Sequence, residues 1–241
     1  MTSDFTATPL VSTVSRAVLA EVRLQGRTVV YPARVRLYLS SSGLPHPAEL
    51  AALLGRASLA SAKVGLIPNA REHRTPDDTH EEVLKAAAEL AALELEVELL
   101  DLREQTEETM PSALAGLDLL WVIGGDLSCL RYRMRRAGFD RAGASAVEQG
   151  LVYAGESAGA IVAGPSLSSF PALDDSDAVE ERISDGLRFV PFVVVPHWRA
   201  PGFEESAPAA LRAARELGFE AIPLEDGQAL VVDGQKVRML Y

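Results

Sequence analysis

The chain of 241 residues holds a single cysteine, Cys129. No intramolecular disulfide can form and no cysteine-rich metal site can be built. Basic residues are also scarce: 23 Lys and Arg stand against 34 Asp and Glu, for a formal net charge of −11. That balance argues against a nucleic-acid binder, which needs a basic stripe to neutralise phosphates. Long apolar runs are missing, and no stretch approaches the roughly 20 residues that cross a bilayer. Residues 1–10 carry no basic region ahead of an apolar one, so a secretory signal is not expected. The glycine-loop signature G-x-x-x-x-G-K-[ST] is absent, and the one Gly-Gly pair lacks a G-x-G-x-x-G context, which disfavours nucleotide binding. The expectation is a soluble, cytoplasmic protein with neither nucleic acid nor membrane as partner.

What is present is ordinary for a globular enzyme: 48% hydrophobic and 24% charged residues in a chain long enough for one substantial core. Residues 1–33 are rich in Thr and Ser at first and show no clear period. They are read as an N-terminal extension of unassigned role, with a homodimer contact as one possibility, ahead of a single domain over 34–241. Within that domain short apolar or alternating runs at 34–39, 62–68, 95–100, 117–123, 151–154 and 221–224 read as strands. Helical segments are expected at 47–54, 80–92, after the Gly124-Gly125 turn as far as 134, and over 208–217. Strands separated by helices of this length imply an α/β fold: a mostly parallel central sheet with helices on both faces, whose ligands bind beyond the carboxyl ends of the strands. The run at 189–195 is apolar throughout and is expected to be a central strand. Residues 228–232 and 237–241, joined across Asp233-Gly234, close the chain with a β-hairpin.

The chemistry concentrates at Gly155-Glu156-Ser157-Ala158-Gly159. An apolar strand breaks there and resumes as small helical residues, with glycines two positions on either side of Ser157, the pattern of a sharp strand-to-helix turn. A serine at such a tip exposes its hydroxyl while the Ala158 amide points into the same space. A glycine-rich turn whose serine merely caps the helix is the alternative. Gly124-Gly125 opens another helix after a strand, where bare amides can serve as oxyanion donors. A nucleophilic Ser157 needs a base, and of the four histidines only His197 follows the elbow, at a strand end. The orienting acid is open between two regions. Chain order as in α/β-hydrolases would select Asp174, Asp175 or Asp177. Adjacency of the strands ending near 195 and 224 would select Asp226, with Glu225 as the near alternative, and this second choice is preferred.

These residues resemble peptidase E, or aspartyl dipeptidase, a family of serine peptidases that includes cyanophycinase and is built on a class I glutamine-amidotransferase-like sheet. The resemblance rests on Leu37-Tyr-Leu-Ser-Ser-Ser, the strand ending Ile67-Pro68, Val122-Ile-Gly-Gly, the elbow, Val195-Pro-His-Trp198 and Asp226-Gly227. It implies Ser157 as nucleophile, His197 as general base, Asp226 as acid, and the amides of Gly125 and Ala158 as the oxyanion hole. Asp126, Glu156 and Trp198, each adjacent to one of these, are the expected substrate contacts. No metal or cofactor is implied, and the substrate would be a short peptide. Two departures bear on specificity. Aspartyl dipeptidases resemble one another in a Thr-Arg-Glu segment after the histidine, absent here, so preference for Asp at the first position does not follow. Cyanophycinases carry Asp-Gln before the histidine where Val195-Pro196 stands. An esterase or amidase using the same three residues, and a non-catalytic module binding a small molecule or anion in the two glycine turns, are the alternatives.

Overall fold

A computed structural model of the chain describes residues 35–72, 76–170 and 179–241, the side chains of 76–80 excepted. The extension 1–33 and the acids Asp174, Asp175 and Asp177 lie outside the described residues. Seven strands form one sheet: β1 (Arg36–Ser40), β2 (Lys63–Ile67), β3 (Glu96–Leu99), β4 (Leu119–Val122), β5 (Val152–Glu156), β8 (Ala229–Asp233) and β9 (Lys236–Leu240), in the order β3-β2-β4-β5-β1-β8-β9. The first five pair in parallel, while β1–β8 and β8–β9 are antiparallel. Registers Ser40↔Glu156 and Val122↔Gly155 bring the carboxyl ends of β1, β5 and β4 side by side. The loops leaving those three strands therefore meet.

Side-chain alternation sorts the core onto the two faces. Leu37, Leu39, Leu120, Val122 and Tyr153 pack on one face, with α3 (Met110–Leu114), α4 (Leu127–Arg136), α5 (Phe139–Glu148), α6 (Ala158–Val162) and α7 (Ser206–Glu216). Tyr38, Leu119, Trp121, Val152 and Ala154 face the other way, against α1 (Pro47–Leu53) and Leu90 of α2 (Pro76–Ala91). A strand covered on both faces reads as a nearly unbroken apolar run, which is how β4 and β5 read. Helix α2 starts a turn before the expected His80, with Pro76 at its first position, where a missing N–H costs nothing. Neither α3 nor α5 is among the expected helices: α3 is only five residues long, and α5, though rich in alanine, carries Gly143 in its interior.

One expectation is corrected. The run 189–195 is not a central strand: only β6 (Val193–Val195) is extended, and it pairs in parallel with β7 (Ala221–Pro223) in a separate two-stranded sheet. Pro191 lacks an N–H, and the amides of Leu187, Phe189 and Val190 donate to the carbonyls of Val162 and Ala163 instead of to a strand. Phe189, Val190 and Phe192 are nevertheless buried. Their apolar character reports burial against the main core, not membership of the main sheet.

Candidate active site

Strand β5 delivers Ser157 at φ 49° and ψ −113°, on the positive-φ side that a side chain rarely adopts. Such a conformation costs on the order of 1–3 kcal/mol and persists only where surroundings impose it. Two surroundings do so. The Ser157 N–H donates to the Ser40 carbonyl at 3.1 Å, tying the elbow to the end of β1. Beneath it, the buried Tyr153 hydroxyl donates to the Gly159 carbonyl at 2.7 Å. Burial pushes this phenol well above its usual range, so it remains a donor. A Cβ on Gly155 would collide with the Gly159 carbonyl, and one on Gly159 with the Val122 carbonyl. The glycine spacing thus reflects the close approach of α6 to β4 and β5.

The Ser157 hydroxyl lies 2.8 Å from His197 Nε2, and His197 Nδ1 lies 2.9 Å from Asp226 Oδ1. The pairing of β6 with β7 makes this possible, because His197 and Asp226 each follow one of those two strands by a few residues. Glu225 turns elsewhere, to Arg199 at 3.1 Å. The imidazole also stacks on Phe203, ring centroids 4.3 Å apart and inclined by 25°. An Nδ1–H pointed at a carboxylate leaves Nε2 as the acceptor for the serine proton.

A further residue joins them. Ser41, wholly buried, accepts from the His197 backbone N–H at 2.7 Å and donates to Asp226 Oδ1 at 2.8 Å. The Ser41 N–H donates to the Gln228 carbonyl at 3.1 Å, and His46 Nε2 lies 3.0 Å from the Gly227 carbonyl. The loop after β1 therefore braces the turn that carries Asp226. Ser41 belongs to the Leu37-Tyr-Leu-Ser-Ser-Ser segment of the resemblance, but nothing in that serine run singled it out for this role.

The Gly124-Gly125 turn closes the other side. A Cβ on Gly124 would sit 2.7 Å from Ser157 Cβ and 3.3 Å from its hydroxyl oxygen. Gly125 has φ +146°, and a Cβ there would overlap the Ala70 carbonyl. The Glu156 carboxylate accepts from the amides of Gly43 at 2.6 Å and Gly124 at 3.3 Å, lacing together the loops that leave β1 and β4. Asp126 is buried and caps α4 through the Cys129 N–H at 2.6 Å. Trp198 is partly buried against the main core and donates its backbone N–H to the Leu224 carbonyl at 2.9 Å. These three expected substrate contacts sit beside the site, and Glu156 and Asp126 each hold backbone there. Below the turn, Asn69 bridges Asp101 at 2.9 Å and the Leu102 N–H at 2.9 Å. Burial works to raise the Asp101 carboxyl, but hydrogen bonds from Arg103 and Asn69 outweigh it and hold the pKa at about 2. Cys129 is buried, and burial first, then its hydrogen bond to Glu72, pushes the thiol far up, which removes it as a rival nucleophile.

The profile of peptidase family S51 matches residues 37–240. The chain belongs to that family, and it is a serine peptidase. An uncharacterized peptidase of Listeria monocytogenes is 28% identical over 150 residues, which cover 61% of this chain and 72% of that protein. Another, from Pasteurella multocida, is 28% identical over 141 residues, covering 58% and 67%. The crystal structure of a peptidase E candidate from Listeria monocytogenes EGD-e matches with a TM-score of 0.72 at 26% identity, covering 86% of this chain and 98% of that one. A peptidase from an acI-B1 Actinobacterium shares the fold, with a TM-score of 0.65 at 17% identity over 87% of this chain and 89% of that one. Among the described residues, no helix is long and apolar enough to cross a membrane.

Proposed function

We propose that the protein hydrolyses short peptides, as a dipeptidase or exopeptidase, through Ser157, His197 and Asp226. The observation that carries this reading is the unbroken chain of contacts from the Ser157 hydroxyl through His197 to Asp226, with the serine held at a strained strand-to-helix tip. His197 Nε2 takes the serine proton as Oγ attacks the scissile carbonyl, and the C–O bond forms while the carbonyl electrons move onto oxygen. The Ala158 amide, in the first helical turn and without an intrahelical acceptor, and the Gly125 amide receive that oxyanion. Collapse breaks the C–N bond, the imidazolium gives its proton to the departing amine, and a water repeats the sequence to release the acid. Asp226 stabilises the imidazolium throughout and fixes its tautomer. The arginine segment with which aspartyl dipeptidases bind Asp does not follow the histidine here, so strict preference for Asp at the first position is not part of the proposal.

Intact-mass spectrometry after exposure to a serine-reactive fluorophosphonate tests the reading. One adduct is expected on the wild type and none on Ser157→Ala or His197→Ala, with cleavage of a dipeptide panel varied among Asp, Glu, Ala and Leu at the first position. A wild type that takes no label and cleaves nothing would leave the non-catalytic reading in its place.

A further inference from the structure

We propose that Ser41 is a positioning residue for this site: its hydroxyl locks the Asp226 carboxylate to the His197 backbone and so sets the angle at which the imidazole meets Ser157. The inference rests on the roles given above to Ser157, His197 and Asp226. It begins with a count of protons. A serine hydroxyl has one to give and two lone pairs to offer. The His197 N–H, at 2.7 Å, occupies a lone pair, and the proton then goes to Asp226 Oδ1 at 2.8 Å. Oδ1 consequently receives two donors, the Ser41 hydroxyl and His197 Nδ1–H.

Both partners need the restraint. Asp226 has 49% of its side chain exposed, so water competes for the carboxylate and nothing in its own turn prevents rotation away from the imidazole. His197 has φ +57°, an uncommon conformation for a residue with a Cβ, and its N–H is the group Ser41 holds. Ser41 itself is rigidly mounted. It follows β1, whose last residue Ser40 pairs with Glu156 beside the nucleophile on one side and with Ala229 after the acid turn on the other. One buried hydroxyl thus joins the strand that anchors the elbow to both groups that follow the small sheet.

The test is a double-mutant cycle on kcat, KM and the fluorophosphonate labelling rate, using Ser41→Ala, Asp226→Ala and the pair, with melting curves to register folding. Ser41→Ala is expected to lower kcat and the labelling rate on the order of 10- to 100-fold, the scale of a small misplacement of reacting groups, with KM within about twofold. Because Ser41 and Asp226 act on the same imidazole, the double variant should lose clearly less than the product of the two single losses. A merely structural serine would instead multiply the two losses, and that outcome overturns the proposal, as does a Ser41→Ala variant with wild-type kcat. Should Ser41→Ala fail to fold, Ser41→Cys decides, since a thiol fills the site but is a weak donor. Reduced kcat at unchanged KM supports the assignment and wild-type kcat overturns it. A wild type without Ser157-dependent labelling removes the underlying reading and this proposal together, whereas failure of the Ser41 variants alone leaves that reading standing.

Discussion

Replacing Asp226 by Asn and, separately, Glu225 by Gln separates two neighbouring carboxylates that sequence alone left open. Asp226 faces the imidazole at 2.9 Å, and under the proposed mechanism its charge acts on the imidazolium formed at His197. Two unit charges about 4 Å apart attract by about 4 kcal/mol at an effective dielectric of about 20 and by about 1 kcal/mol in bulk water. With half of the Asp226 side chain in solvent, screening places the interaction between these limits, at about 2–3 kcal/mol. That corresponds to a fall of roughly 30- to 160-fold in kcat. An Asn amide can in addition present its N–H to Nδ1 and hold the wrong tautomer, which carries the loss toward about 10³-fold. Glu225, in an exposed pair with Arg199 at 3.1 Å, has no such role, and Glu225→Gln should stay within about threefold of wild type. Steady-state cleavage of the best dipeptide and the fluorophosphonate labelling rate, both at saturating pH for the wild type, give the comparison. An Asp226→Asn variant within threefold of wild type, or a larger loss at Glu225 than at Asp226, would refute the assignment of the acid.

Other substitutions probe the scaffold. Gly124→Ala puts a methyl within 2.7 Å of Ser157 Cβ, so kcat should fall on the order of 10²-fold and stability by about 1–3 kcal/mol; labelling at the wild-type rate would contradict the close approach. Tyr153→Phe removes the donor to the Gly159 carbonyl in a fully buried place, and a loss of about 1–3 kcal/mol in urea unfolding is expected. For Asp101 the folded pKa of about 2 lies below the unfolded value of about 3.9, so its contribution is present above pH ~4 and disappears as pH falls through about 2. The stability gap between wild type and Asp101→Asn should accordingly be about 1–2 kcal/mol at pH 7 and narrow below pH 4; a gap independent of pH would argue against the Arg103 and Asn69 contacts as its source. Cys129 should resist thiol reagents in the folded protein until denaturant is added, and rapid labelling under native conditions would be inconsistent with its burial.

What could be read in advance was what local spacing determines. Gly155 and Gly159 around Ser157 announce a tight strand-to-helix turn because the collisions they avoid lie within the turn itself and with the adjacent strand. The order of helices and strands gave the layered architecture for the same reason. Contacts between distant segments were less legible. Whether Asp226 could reach His197 depended on β6 and β7 lying side by side, a pairing that an apolar run cannot specify. Ser41 was hidden because its two partners lie 156 and 185 residues away and a serine after a strand is commonplace. The misplacement of residues 189–195 shows the limit of hydrophobicity as a guide: it measures removal from water and says nothing of which backbone supplies the hydrogen bonds.

His197 and Asp226 follow the strands of the small sheet, whereas Ser157 stands on the large one. The proposed nucleophile and base therefore stand on opposite sides of a seam that is held by side-chain packing and bridged by Ser41, and among the described residues no strand pairing joins the two sheets. Packing seams open at lower free energy than whole domains. Heat or mild denaturant should consequently silence the enzyme while most of its secondary structure persists, so that the midpoint for loss of activity falls below the midpoint for loss of helical signal.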